Sequence, residues 1–188
     1  MTVPRARNGE NVKYLIASDI HGSAYYCRML IDAYKAEKAD RLILLGDLLY
    51  HGPRNDLPKD YAPKEVAAML NALKCEILSI RGNCEAEVDQ MMLEFPVLAD
   101  YAVIITNAGQ TIYLTHGHHY NIENPLPMKE GDIMMYGHTH VPLDEVRNGI
   151  RFLNPGSVSI PKQNSGHGYI VLEDGNFVRK LLTPQDSP

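Results

Sequence analysis

Seven residues supply the chemistry this sequence can offer: Asp19, His21, Asp47, Asn83, His116, His138 and His140. They mix carboxylate, imidazole and one amide oxygen, a donor set that suits borderline to hard divalent cations such as manganese, iron or zinc. In Asp19-Ile20-His21 and His138-Thr139-His140 the donors are two residues apart, so extended backbone turns each pair to one side, where it can converge. Gly46, Gly82, Gly117 and Gly137 let the chain bend sharply beside them. Asp47 has two carboxylate oxygens and can join two ions. Taken singly the motifs are weak signals, and Gly46-Asp47 and Gly82-Asn83 read more readily as turns; their joint placement is what points to a metal centre.

Such donors work only if the chain gathers them, and each closes an apolar run of strand length. Tyr14–Ala17 leads into Ser18-Asp19-Ile20-His21, and Arg41–Leu45 into Gly46-Asp47. Ile77–Ile80 leads into Arg81-Gly82-Asn83, Ile112–Leu114 into Thr115-His116, and Ile133–Tyr136 into Gly137-His138-Thr139-His140. Buried strands carrying functional groups at their carboxyl ends are how an α/β sheet builds a crevice. Asp47 is expected on a central strand.

The first half reads as β-α-β-α-β, an order that argues for parallel strands. Its strands are Val12 to Ala17, Arg41 to Leu45 and Glu76 to Ile80. A helix from Ser23 to Glu37 has Ser23 as N-cap and Cys27, Leu30, Ile31 and Tyr34 at core spacing. Pro63 opens a second helix that would bury Val66, Met69, Leu70 and Leu73. Tyr50 to Tyr61 is a loop presenting His51, Arg54 and Asn55 just beyond Asp47. Glu85 to Leu93 forms a short helix, and Met91, Met92, Cys27 and Cys75 are expected in the core. The second half changes to hairpins. Tyr101–Thr106 pairs with Thr111–Thr115, Asp144–Arg147 with Ile150–Asn154 across Asn148-Gly149, and Gly168–Leu172 with Asn176–Leu182 across Asp174-Gly175. That half reads as a meander, and two sheets packed face to face with helices outside accommodate both halves.

A chain of 188 residues fills one core and is short for two. Residues 1–11 are expected to be a flexible tail and 12–188 a single domain. A net charge of -5 gives no electrostatic case for duplex nucleic acid or an anionic membrane. No run approaches the ~18 apolar residues of a membrane span, and Met1–Lys13 has no signal-peptide pattern. Cys27, Cys75 and Cys84 lack paired spacing, which fits a reducing cytoplasm. Nothing excludes a homo-oligomer.

Asp19-Ile20-His21, Gly46-Asp47, Gly82-Asn83, Thr115-His116-Gly117-His118 and Gly137-His138-Thr139-His140 resemble, in order, the signature of the calcineurin-like metallophosphoesterases. Asn83-Cys84, the loop His51-Gly52-Pro53-Arg54-Asn55 and Asn154-Pro155-Gly156-Ser157 resemble the small bacterial YfcE-type phosphodiesterases. The resemblance implies an α/β (α+β) fold, an αββα sandwich of two mixed β-sheets flanked by helices. It implies one ion on Asp19, His21, Asp47 and His140, and a second on Asp47, Asn83, His116 and His138. Manganese is the first choice, with iron, zinc, nickel or cobalt open.

Two cations ~3.5–4 Å apart hold a bridging hydroxide and stabilise phosphoryl charge during in-line attack. The expectation is therefore a phosphodiesterase acting on a small phosphoester. A protein-binding scaffold is the second reading, since the retromer subunit resembling this family uses the fold that way. In the resembled family a histidine usually follows the asparagine and protonates the leaving group; here that residue is Cys84, a weaker proton donor or a space filler. His51, His118 and His119 are substitute acids, with His118 first, and Arg54 is a candidate phosphate contact.

Overall fold

The computed structural model describes residues 12–107 and 109–183, so the tail expected over 1–11 lies outside the described residues. Along the chain the elements are β1 (Tyr14–Ala17), α1 (Ala24–Glu37), β2 (Arg41–Leu44), α2 (Pro63–Asn71), β3 (Ile77–Ser79) and α3 (Glu87–Met92). There follow β4 (Tyr101–Ile105), β5 (Thr111–Thr115), β6 (Ile133–Met135), β7 (Leu143–Arg147), β8 (Ile150–Asn154), β9 (Gly168–Glu173) and β10 (Asn176–Leu181). Ser23 caps α1 by accepting a hydrogen bond from the Tyr26 amide, Lys38 ends it in the left-handed region, and Pro63 opens α2.

β1, β2 and β3 pair in parallel, and the β9–β10 hairpin completes the first sheet in the order β10-β9-β1-β2-β3. β2 is therefore interior, although β1 holds the middle. The second sheet runs β4-β5-β6-β8-β7. It is not a meander, because β5, β6 and β8 are mutually parallel. Hairpin signals are local and fix only the β4–β5, β7–β8 and β9–β10 pairs. Residues 116–132, between β5 and β6, are long enough for the return a parallel pair requires.

Alternation along β1 shows how the layers form. Ile16 joins Ile43, Ile80, Ile112, Leu114 and Met135 between the sheets. Leu15 and Ala17 point the other way, toward Cys27, Leu30, Val66 and Leu70 of the two longer helices. On the far side of the second sheet, Met134 and Phe152 pack against Leu126, Tyr120 and Ile122 of the 116–132 segment. The expected core places fail for Met91 and Met92, which are 84% and 44% exposed, and for the exposed Cys75. Among the described residues α3 buries none of its own. Cys27 is buried as expected.

Candidate metal centre

The carboxyl ends of β1, β2, β3, β5 and β6 deliver the donors, which form a continuous chain. His140 Nε2 lies 3.2 Å from Asp19 Oδ1, and His21 Nε2 lies 3.5 Å from the same oxygen. Asp47 Oδ2 sits between His21 Nε2 at 3.7 Å and His116 Nε2 at 3.4 Å. His116 Nε2 in turn is 3.1 Å from Asn83 Oδ1. Asp19, His21, Asp47, His116 and His140 are all buried, whereas Asn83 is exposed at the mouth.

Backbone carbonyls set the tautomers. Nδ1 of His21, His116 and His140 lies 2.8, 2.6 and 2.9 Å from the carbonyls of Tyr50, Leu45 and Ile160. A carbonyl only accepts, so each Nδ1 carries the proton and each Nε2 turns a lone pair inward. His21 Nε2 and His140 Nε2 then face each other at 3.2 Å, and Asp19 Oδ1 is buried without a hydrogen-bond partner. Acceptors crowded together in this way need a cation among them. Without one, protons serve. Burial opposes charge on His116, but the bond to Asp47 raises it to about 9; burial likewise opposes charge on His21, yet Asp19 raises it. Burial would raise both carboxyls, but the histidines hold Asp19 well below, and Asp47 below, the usual range. The residues present therefore fit divalent cations.

The rim is held in a conformation that L-residues avoid. Asp19, His21, Asp47, His138 and His140 have φ of 61°, 48°, 57°, 64° and 60°. Each such position costs on the order of 1–3 kcal/mol and persists only where its surroundings enforce it. Part of that enforcement is Glu85, which the sequence reading placed at a helix start. It is buried, and its carboxylate accepts from the amides of Asp47 (2.9 Å), Leu48 (2.7 Å) and Gly82. Burial and the charge of Asp47 push its carboxyl up to about 7. Ser157 Oγ and Ser159 Oγ donate to the Asp19 carbonyl, and Asn154 Nδ2 donates to that of Gly137. Two glycines are sterically required. A Cβ on Gly82 would come within 2.1 Å of Asp47 Oδ1, and one on Gly137 within 1.9 Å of Ser18 Oγ.

The remaining candidates are placed less tightly. The His138 amide donates to Asp19 Oδ2, and its half-buried ring lies 5.1 Å from that of His116. His118 is 5.4 Å from the His116 ring, and its Nδ1 is buried without a partner. Burial and the neighbouring His116 charge push it down to about 4, so it is neutral near pH 7 and a poor proton donor. Cys84 donates its amide to Asp47 Oδ1 at 2.9 Å, and its Sγ accepts from Asn83 Nδ2 at 3.3 Å. The His51 ring meets Tyr50 and Tyr61 edge-on, and Arg54 and His119 are exposed.

A model of the calcineurin-like phosphoesterase superfamily domain matches residues 12–175. The chain belongs to this superfamily. The phosphoesterase is 43% identical over 163 residues to Phosphodiesterase YfcE of Escherichia coli strain K12, covering 87% of this chain and 88% of that one. Its structure is similar to that of E. coli YfcE, described as a phosphoesterase, with a TM-score of 0.85 over 92% of this chain and 100% of the other. Vacuolar Protein Sorting 29 from Cryptosporidium parvum shares the fold at 16% identity and a TM-score of 0.56, over 91% and 96% of the two chains. No helix among the described residues of the phosphoesterase is long and apolar enough to cross a membrane.

Proposed function

We propose that this phosphoesterase is a phosphodiesterase dependent on two divalent ions. One would be held by Asp19, His21, Asp47 and His140, the other by Asp47, Asn83, His116 and His138. The reading rests on the buried chain of facing acceptors, with Asp19 Oδ1 unpartnered and Asp47 Oδ2 set between two imidazoles. The likeness to Phosphodiesterase YfcE supports the diester preference. Bound there, the ions supply Lewis acidity toward the phosphoryl oxygens and lower the pKa of water.

The protein's own groups do the rest by position. Asp47 is fixed through both oxygens, Oδ1 by the Cys84 amide and Oδ2 between His21 and His116, and Glu85 holds its backbone amide. The carbonyls of Leu45, Tyr50 and Ile160 keep the three buried imidazoles turned inward. His118 is a neutral ring beside this cluster, suited to accepting or sharing a proton rather than to releasing one. Arg54 and His51 are substrate-side groups in the 50–61 loop. Manganese is the working metal, and the mixed oxygen and nitrogen donors also fit iron and zinc. A cytoplasmic location is supported by the free thiols of Cys27, Cys75 and Cys84. We read residues 12–188 as one catalytic domain.

The test is hydrolysis of bis(4-nitrophenyl) phosphate and of 4-nitrophenyl phosphate by metal-stripped protein refilled one metal at a time. Chelation should abolish diesterase activity and manganese should restore it. Failure to hydrolyse any phosphoester with manganese, iron, zinc, nickel or cobalt would leave the scaffold as the better account.

A further inference from the structure

Beside the strand-end rim lies a cavity of about 380 Å³ walled by Leu49, Tyr50, Tyr61, Cys84, Val88 and Met92. We propose that it is a subsite for a flat, apolar ester arm of the substrate, so that the enzyme selects phosphoesters carrying an aryl or similarly planar group. The proposal rests on the phosphodiesterase reading above and adds a substrate class to it.

The cavity and the metal-binding cluster share a wall. Cys84 Sγ lies within 4.8 Å of ligand atoms of both His21 and Asp47. The Tyr50 carbonyl takes the His21 Nδ1 proton while its side chain lines the cavity. The Tyr61 ring closes the same corner by resting against Gly22, where a Cβ would come within 2.5 Å of it. A group esterified to a phosphorus held over His21 and Asp47 therefore has this cavity as its neighbour.

Size and chemistry narrow the occupant. Ligand pockets of about 300–1,000 Å³ accept small molecules, and the volume here is at the low end, right for a ring and too small for a partner helix. Two tyrosine rings together with Leu49, Val88 and Met92 offer apolar contact, and Lys64 and Asp89 are the charged residues on the wall. Val88 and Met92 are 62% and 44% exposed among the described residues, so the apolar wall is open to a ligand.

The experiment uses zinc-loaded protein, which is diamagnetic, and follows 4-fluorophenylphosphonate by fluorine NMR. Phenylphosphonate and methylphosphonate then compete for the same site. Burying a phenyl group against such a wall favours it by about tenfold or more, so phenylphosphonate should displace the probe at about one-tenth of the methylphosphonate concentration. The double variant Val88→Gln with Met92→Gln should reduce that preference below about threefold and leave methylphosphonate affinity unchanged. Equal affinity of the two phosphonates in the wild type would overturn the proposal, as would a preference that survives the double variant. So would wild-type dimers in sedimentation velocity that the double variant dissociates, with no phenyl preference, since a second copy would then own the patch. If neither phosphonate binds and no metal supports hydrolysis, the metal-site reading itself falls; hydrolysis without phenyl preference sinks only the subsite.

Discussion

The strand-end rim and the face of α3 adjoin each other and are built on opposite principles. At the rim five of the seven donors are buried, three of their rings are locked by carbonyls, and five of their backbones are held at positive φ. On α3 nothing is buried, and Val88, Met91 and Met92 meet solvent. The rim gains rigidity from many mutually dependent bonds, so a single change there should propagate. The α3 face is a set of independent apolar contacts, so changes there should shift preference and leave the chemistry intact. Chemistry common to a family sits on the first kind of surface, and choice among substrates can sit on the second.

The sharpest way to break this contrast is Asp47→Asn. Asparagine tolerates the left-handed backbone at φ 57°, so the fold should survive while the shared carboxylate disappears. We expect elemental analysis to fall from two ions toward none and kcat/KM to fall by at least about 10³-fold, since several kcal/mol of transition-state stabilisation goes with the ions. Retention of both ions would end the bridging assignment. His21→Ala should instead weaken the Asp19 ion preferentially.

A smaller but wider effect is expected at Glu85. In Glu85→Gln one amide oxygen replaces two carboxylate oxygens that receive three backbone N–H groups. At least one buried donor is orphaned, at a cost of about 1–3 kcal/mol, and metal affinity should fall about 10–100-fold. The pH dependence carries a second signature. A carboxyl raised from 4.5 to about 7 in the fold binds protons that the unfolded chain has released, so metal-free wild-type stability declines as pH rises through that window. His116, raised from 6.5 to about 9, stabilises fully below 6.5, and its contribution is lost as pH climbs through 9. Below about pH 6.5 the depressed His118, whose neutral ring favours the fold as pH rises, opposes the Glu85 slope. Thermal unfolding in chelator should therefore show falling Tm from about pH 6.5 to 9, and the variant should gain Tm relative to wild type as pH rises from about 5 to 7. A wild-type Tm that rises across this range would contradict the arrangement.

Glu85 also marks where sequence reasoning stops. The donors were legible because each is a rare residue type at the end of an apolar run, and hairpins were legible at Asn148-Gly149 and Asp174-Gly175 because turn chemistry is local. Nothing local distinguishes a glutamate opening a helix from one folded back under two strand ends; only the pairing of β2 with β3 makes that distinction. Met91 and Met92 failed for the converse reason. Apolar spacing says that a face seeks cover, and only the tertiary arrangement says whether cover exists. The parallel course of β5, β6 and β8 was hidden because it depends on the 116–132 connection and not on any turn motif.

Cys84 stands on the boundary between the two surfaces, and it should give the mildest effect. Its amide serves Asp47, a role that any residue except proline fills, while its thiol accepts from Asn83 Nδ2 at 3.3 Å and the residue forms part of the cavity wall. Burial, and then the charge of Asp47, push that thiol above its ordinary range, so it does not readily give up a proton to a departing oxygen. Protonation of the leaving group should therefore be the weakest part of the machinery, and kcat/KM should fall steeply as leaving-group pKa rises. Cys84→Ala keeps the amide and should change aryl-ester hydrolysis less than about threefold, because acidic leaving groups need little proton assistance. Cys84→His introduces an imidazole where a general acid is worth about 10²–10⁴-fold when well placed, so even poor placement should help alkyl esters several-fold. The same ring would intrude on the cavity and should erode any preference for aryl arms. The measurement is kcat/KM against leaving-group pKa for all three proteins at equal metal content. A large loss in Cys84→Ala at full occupancy would mean that the thiol acts on the substrate, and that the rim's chemistry extends into the α3 face.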